Sequence, residues 1–375
     1  MKIIKIISCA AAICMLFSSC SQTYNLRNMN IVQGLGIDLK GSSFEVTLQI
    51  LDTVKEGTGV DALSGNITSN LSQSAPTVSQ AISKCSASSA KKVFTGQNKV
   101  VVFGSEVVSS DITRCFDYLI RSTQSRPDVL VAMSLTSADD VLSSKENDAL
   151  VPAEAIYDLL KDGENSGIGA AVTVKDLINA QSSKTSDLFI PVLKAQEDKP
   201  CEIYGLGIFS KSKFKTILNN TQTLGFHLVR GDLKETFITV KDKDFGNIGV
   251  KITNVKSKTK VFSQGGDLHV ESNIEIKAQI NDLEKNTQKS LSVQKFRDIE
   301  HLINEKAQRL CENAFSVCVN ENCSDVFSLG KMLAKSSMSD YKALTVNWDN
   351  SLKNAHFFVS VNSSVRRQND NSVRD

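Results

Sequence analysis

Apolar and polar residues alternate at three places along the chain, and each alternation predicts a strand that buries one face. The first spans residues 44–50, the second follows the even positions of 268–280, and the third follows the odd positions of 357–365. Residues 99–104 and 128–135 are instead short apolar runs, which are typical of strands buried on both faces. The sequence therefore predicts both covered and half-open sheets.

Apolar positions separated by steps of three and four residues predict helices. The longest lies near residues 292–318, where Phe296 and Leu310 belong to a stripe expected to pack on a sheet. Shorter helices are predicted after Thr77 and Asp111, and near residues 152–160 and 174–180. We expect an α+β fold, that is a mixed α/β arrangement in several domains, with mixed and antiparallel sheets flanked by helices.

The chain is expected to divide at residues 197–200, a polar break that ends in proline. An N-terminal domain is placed at residues 31–198, where a further split near residues 136–150 stays open, and a C-terminal domain at residues 204–367. Two polar segments without periodic apolar residues are predicted to be a mobile loop and a disordered tail, residues 53–76 and 368–375.

Residues 1–19 have the pattern of an export signal. Lys2 and Lys5 make the start positive, and residues 6–17 are apolar apart from Ser8. This run has the length of the apolar region of a signal peptide, and it is shorter than the roughly 20 residues of a membrane-spanning helix. The sequence therefore predicts a signal peptide at residues 1–19.

The end of this segment, Leu-Phe-Ser-Ser-Cys at residues 16–20, resembles a lipobox. Cleavage between Ser19 and Cys20 and lipidation of Cys20 are predicted, with residues 20–30 as the lipidated tether. Two acyl chains would hold the protein stably on the outer face of a membrane. The alternative is an ordinary secretory signal cleaved near Ser19, with Cys20 incidental.

Charge and composition narrow the possible functions. Without Lys2 and Lys5, the 43 basic residues become 41, which equals the 41 acidic residues. This balance gives no electrostatic footprint for nucleic acid and no polybasic second anchor for acidic lipid. Six cysteines remain beyond the tether, and we interpret them as buried free thiols, although an even number in an exported chain also permits disulfides: Cys85, Cys115, Cys201, Cys311, Cys318 and Cys323.

Residues with catalytic or metal-binding potential do not form a recognisable motif. The four histidines lie far apart in the sequence: His227, His269, His301 and His356. Two close carboxylate pairs, Asp139–Asp140 and Asp242/Asp244, are interpreted as turn residues. The sequence has no nucleophile elbow, zinc-protease helix or phosphate-binding loop. We therefore expect a binding or assembly protein rather than an enzyme, without cofactor or metal.

Several spaced patches resemble the Ger(x)C family, the lipoprotein C subunits of spore germinant receptors. They are residues 31–38 (IVQGLGID), 44–50, 94–106, 116–121 with 126–128, 205–209, 224–226, 324–327 with Gly330, Trp348, and 365–367. The stretch after Cys20 and Gln97 depart from the usual family pattern. The resemblance covers nearly the whole chain beyond Cys20, and the order and spacing of the patches carry it more than any single one.

This resemblance implies a non-enzymatic lipoprotein subunit on the outer surface of the spore inner membrane. It implies assembly with two integral-membrane subunits, A and B, into a receptor for small nutrients. An extracytoplasmic solute-binding lipoprotein is the alternative, although two similar α/β lobes would then be expected. A secreted hydrolase is a third hypothesis, and it lacks a visible nucleophile and base.

Overall fold

A computed structural model describes residues 29–51, 67–89, 91–145, 149–197, 199–285 and 292–366. The predicted signal peptide, Ser19, Cys20 and the C-terminal tail lie outside these ranges. The predicted tether lies outside them too, except for Met29 and Asn30, which already belong to the first strand.

Nine strands of the described residues form one large sheet. Its strands are β1 (Met29–Lys40), β2 (Ser43–Leu51), β3 (Thr68–Ala75), β4 (Lys92–Phe94), β5 (Val100–Phe103), β6 (Leu130–Ser134), β7 (Phe189–Gln196), β8 (Lys199–Ser210) and β9 (Lys213–Leu218). Their order is β3-β2-β1-β5-β6-β7-β8-β9, and β4 pairs with the start of β1. The central strands β1, β5, β6 and β7 run parallel, and antiparallel hairpins flank them.

The centre of the large sheet is buried on both faces. Val100 and Val102 of β5 point into one apolar cluster, whereas Val101 and Phe103 point into a second cluster across the sheet. Helices cover the two faces, and they are α1 (Val78–Ala87), α2 (Ser105–Ser110), α3 (Thr113–Arg121), α4 (Ala138–Leu142), α5 (Pro152–Ser166) and α6 (Val174–Ser182). This double burial explains why the strand sequence is continuously apolar.

The early Gly-x-Gly of β1 lets a helix approach the strand closely. A Cβ atom at Gly36 would lie 3.1 Å from the Ala138 Cβ and 3.1 Å from a Leu142 methyl group, both on α4. Asp38, two residues further on, accepts hydrogen bonds from the backbone N–H groups of Ala138 (2.8 Å) and Asp139 (3.3 Å). The patch therefore seats α4 on the large sheet.

A second sheet has four strands, in the order β10-β11-β12-β13. They are β10 (Thr236–Asp242), β11 (Gly246–Gln264), β12 (Asp267–Leu283) and β13 (His356–Arg366). The first three are antiparallel, and β13 is parallel to β12. The even positions of β12 are buried from Leu268 to Ile280, and the buried Ser272 hydroxyl pairs with that of Thr259 at 2.9 Å.

Helices cover one face of this small sheet. They are α7 (Asn220–Arg230), α8 (Val293–Phe315), α9 (Leu329–Ser336), α10 (Met338–Leu344) and α11 (Trp348–Lys353). Ser292 caps α8, and a π-helical turn at Ser316–Glu321 follows it. A Cβ atom at Gly225 of α7 would lie 2.1 Å from the Leu310 carbonyl oxygen of α8, so glycine is needed where these helices cross.

The fold confirms the predicted α+β class, and the long helix begins at the predicted residue. The prediction of a loop through residues 53–76 is wrong for residues 68–75, which form the edge strand β3. The polar break at residues 197–200 lies in the hairpin between β7 and β8, so the large sheet continues across it. The large sheet also continues on both sides of residues 136–150.

Candidate functional site: the junction of the two sheets

The predicted lipidation and cleavage residues, Cys20 and Ser19, lie outside the described part of the chain. Within the described ranges, no helix is both long and apolar enough to cross a membrane.

The cysteines of the described residues form no disulfide, and all but Cys323 are buried. Burial raises the pKa of Cys85 to about 11 and that of Cys115 to about 12. A thiol with a raised pKa stays protonated and is a poor nucleophile near neutral pH. Cys85 and Cys115 therefore behave as small apolar core residues.

The two carboxylate pairs lie in turns and caps. Asp140 forms a capping box with Ser137 at the start of α4. Asp242 accepts from the backbone N–H groups of Asp244 and Phe245. Lys295 of α8 binds the carboxylates of Asp242 (2.8 Å) and Asp244 (2.7 Å), which ties the helix to the β10–β11 turn.

Two of the four histidines meet across strands of the small sheet. The rings of His269 and His356 have centroids 4.7 Å apart, because the two residues are register partners on β12 and β13. Phe262 stacks on His269 at 5.5 Å, and Phe358 lies 6.1 Å from it. The described residues contain no group of three or more side chains able to hold a metal ion. Sequence spacing gave no sign of this pair, since 87 residues separate its members.

A pair of carboxyl groups, one buried and one half-buried, joins the two sheets. Asp325, which is fully buried, accepts from the backbone N–H groups of Leu329 (2.5 Å) and Gly330 (2.9 Å) at the start of α9. Asp187, just before β7, accepts from the Asp325 N–H at 2.8 Å and from the Lys211 N–H at 2.7 Å. We call this arrangement the carboxyl joint, and it consists of Asp187 and Asp325.

Burial dominates the electrostatics of the carboxyl joint. Removal from water raises the pKa of Asp325 to about 7, although its backbone hydrogen bonds act in the opposite direction. Burial likewise raises the pKa of Asp187. The neighbouring Ser324 hydroxyl donates to the Phe209 carbonyl, and that of Ser210 donates to the Cys323 carbonyl at 2.8 Å. The patch at residues 324–327 therefore forms an internal contact with the large sheet.

A second polar network lies beside the joint, at the end of α7. The Nδ1 of buried His227 lies 2.8 Å from the Asp232 carboxylate, and its Nε2 lies 2.7 Å from the Gly169 carbonyl oxygen. Arg230 donates from Nε to Asp232 at 2.6 Å, and its guanidinium lies 4.9 Å from the Phe189 ring centroid. Burial alone would raise the pKa of Asp232, but the contacts with His227 and Arg230 outweigh burial and lower it.

An open cleft of about 610 Å³ lies between these networks and is lined by α5, α6, α7, α9 and the segment before β7. Its charged lining residues come from elements beside both sheets, and they are Glu164, Asp176, Asp187, Arg230, Asp232 and Lys331. Both ring nitrogens of His227 are already engaged, so this histidine is not free to activate a serine of the cleft. The lining suits a polar contact rather than acyl transfer.

Comparisons with known proteins agree with the patches read from the sequence. The description "Spore germination protein N-terminal domain" matches residues 22–195, and "Spore germination B3/ GerAC like, C-terminal" matches residues 204–369. A putative spore germination protein of Bacillus subtilis (strain 168), YfkR, is 24% identical over 279 residues, which is 71% of each chain. The crystal structure of the GerBC protein superimposes with a TM-score of 0.61 at 16% identity, covering 88% of this chain and 96% of that one.

Proposed function

Because the chain belongs to the Ger(x)C family of spore germination proteins, we propose that it is the lipid-anchored C subunit of a germinant receptor. In this proposal Cys20 carries the lipid, and the chain lies on the outer face of the spore inner membrane. It assembles there with the integral-membrane A and B subunits and acts by contact rather than by catalysis.

The family match along nearly the whole chain carries this proposal. The lipobox at residues 16–20 precedes the matched region almost directly. The carboxyl joint and the His227 network connect the two family halves by hydrogen bonds, which supports a chain that acts as one subunit. Attachment to a membrane raises the local concentration of membrane partners, so a modest interface suffices for assembly.

Co-purification from dormant spores tests the assembly. The tagged full chain, solubilised from the spore inner membrane, should bring down two multi-span membrane proteins. A clean deletion strain should lose the response to a nutrient germinant while later germination steps, triggered without nutrients, remain. Normal nutrient germination in that strain, with no paralogue expressed, would remove the receptor-subunit proposal.

The anchor is tested separately at Cys20. Cys20→Ala removes the acyl acceptor, so the protein should leave the membrane fraction while its thermal unfolding stays unchanged. Mass spectrometry of the N-terminus should find a diacylglyceryl cysteine in the parent chain. An unmodified N-terminus at any other residue would refute lipidation and leave the ordinary secretory signal as the explanation.

The open cleft of about 610 Å³ favours one second candidate, a solute-binding lipoprotein. Under the receptor-subunit proposal, the full chain should bind no amino acid or sugar in calorimetry. Saturable, stoichiometric binding that is weakened by Arg230→Gln would favour the solute-binding function instead. Lys184→Gln, an exposed change outside the cleft lining, is the matched control.

A further inference from the structure

The face of the small sheet that points away from the helices has a regular arrangement of exposed side chains. Strand register places Lys260, Glu271 and Phe358 in one row, and Lys256, Glu275 and Asn362 in another. Lys258 lies on the same face between these rows. We call this surface the outer face, and it consists of the exposed positions of β10 to β13.

Basic residues outnumber acidic ones on the outer face. Its exposed basic residues are Lys241, Lys256, Lys258, Lys260, Lys277 and Arg366, with the half-buried Lys251 beside them, and its exposed acidic residues are Asp267, Glu271, Glu275 and Asp282. Lys251 forms an ion pair at 2.6 Å with Glu235, the residue just before β10. The residues after position 19 carry no formal net charge, so the net charge of the chain does not reveal this local excess of positive charge.

Three lysines of β11 contribute to this positive charge, and we call them the lysine row. Lys256, Lys258 and Lys260 occupy alternate positions of β11, so their Cα atoms repeat about every 7 Å along one side of the strand. All three are exposed, and none forms an ion pair within 4 Å among the described residues. Lys260 and Lys256 lie opposite Glu271 and Glu275 in the strand register, whereas Lys258 lies opposite Asn273, so these positions keep a net positive charge that an anionic partner would complement.

Two exposed aromatic residues lie on the same face, Phe358 in register with Glu271 and Phe237 in register with Lys251. Phe358 is 55% exposed beside the His269–His356 pair, and Phe237 is 59% exposed. The Lys251 ammonium lies 5.7 Å from the centroid of the Phe237 ring. Exposed phenylalanine together with lysine is also found on protein segments that lie at the boundary between a membrane and water.

We propose that the outer face of the small sheet rests on an anionic lipid surface. The lysine row would contact headgroup phosphates, and Phe237 and Phe358 would enter the boundary region. A lipid surface is favoured as the occupant because the charge is spread along about 14 Å of an open sheet face. The contact goes beyond the proposed receptor role and does not depend on acylation of Cys20.

Vesicle binding tests the proposal in chains that begin at residue 20 and carry Cys20→Ala, so that neither an acyl chain nor the apolar residues 6–17 contribute. The probes are vesicles of phosphatidylcholine with or without about 30% phosphatidylglycerol, which gives the membrane a negative surface charge. Binding should require phosphatidylglycerol and should fall steeply when salt is raised from about 0.1 to 0.5 M, because salt screens exposed charges. Each lysine should contribute about five-fold, so Lys256→Gln, Lys258→Gln and Lys260→Gln together should weaken binding about 100-fold.

The matched control replaces three exposed lysines elsewhere, Lys184, Lys213 and Lys215, with glutamine. It removes the same charge and should bind like the parent within about two-fold, because its lysines lie off the outer face. Equal loss in both triple variants, or no loss in either, would overturn the proposal. So would a loss seen only with spore membranes and not with pure vesicles, since that outcome identifies a protein partner. The anchor experiment at Cys20 is unaffected by any of these results.

Discussion

The two sheets of this protein bury their residues in different ways. In the large sheet, consecutive residues of β5 enter two separate cores, and all four residues are buried. In the small sheet, β12 buries every second residue and leaves the others exposed. The central strands of the large sheet are therefore covered by helices on both faces, whereas the small sheet keeps one open face.

The two regions meet at the carboxyl joint, and its loss should have the largest effect. Asp325→Ala leaves the N–H groups of Leu329 and Gly330 without an acceptor inside the protein. Each buried unpaired donor costs about 1–3 kcal/mol, so the free energy of unfolding should fall by roughly 2–6 kcal/mol. Denaturant unfolding measures this change. A loss below about 0.5 kcal/mol would show that the joint does not hold the two sheets together.

Substitutions of neighbouring residues test the difference in burial between the two sheets. In the small sheet, Ile274→Ala should cost roughly 2–5 kcal/mol, whereas the exposed Glu275→Ala should stay within about 0.5 kcal/mol. In the large sheet, Val101→Ala and Val102→Ala should each cost about 2 kcal/mol, because both residues are buried. An unequal pair in β5 or an equal pair in β12 would contradict the burial pattern.

The pH dependence of stability should also reflect the joint. Burial raises the pKa of Asp325 to about 7 from an ordinary 3.8, so the folded state binds this proton more tightly. Between about pH 4 and pH 7 this group therefore makes the free energy of unfolding fall as pH rises, and it adds no change above that range. Asp325→Asn should remove this component. Identical slopes for parent and variant, measured by thermal unfolding, would contradict the shifted pKa.

Helix caps should give the smallest effect, and the same effect in both regions. Thr77 caps α1 beside the large sheet, and Ser292 caps α8 beside the small one, each accepting from a backbone N–H at 3.2 Å. Replacement of either by alanine should cost about 1 kcal/mol, because a cap acts locally whatever the helix length. A difference of more than about 1 kcal/mol between the two variants would show that one of the two helices depends more strongly on its cap.

Sequence periodicity predicted those strands and helices that their own residues specify. The continuous apolar run of β5 indicates burial on both faces, and the alternation of β12 indicates burial on one face, so both strands were predicted. The edge strand β3 was missed because Leu71 is its one large apolar residue, and pairing with β2 makes it a strand. No local pattern could reveal the meeting of Asp187 with Asp325 or of His269 with His356, since each depends on the tertiary arrangement.

The hairpin between β7 and β8 has a practical consequence for anyone who divides this chain. The two family descriptions end and begin at residues 195 and 204, which suggests a cut between them. A truncation there would remove β8 and β9 from the large sheet and leave the β7 edge with unpaired backbone groups. Such an edge invites aggregation. The region matched by the N-terminal family description is therefore shorter than the segment that forms the large sheet. A fragment that keeps the large sheet whole must extend at least to Leu218.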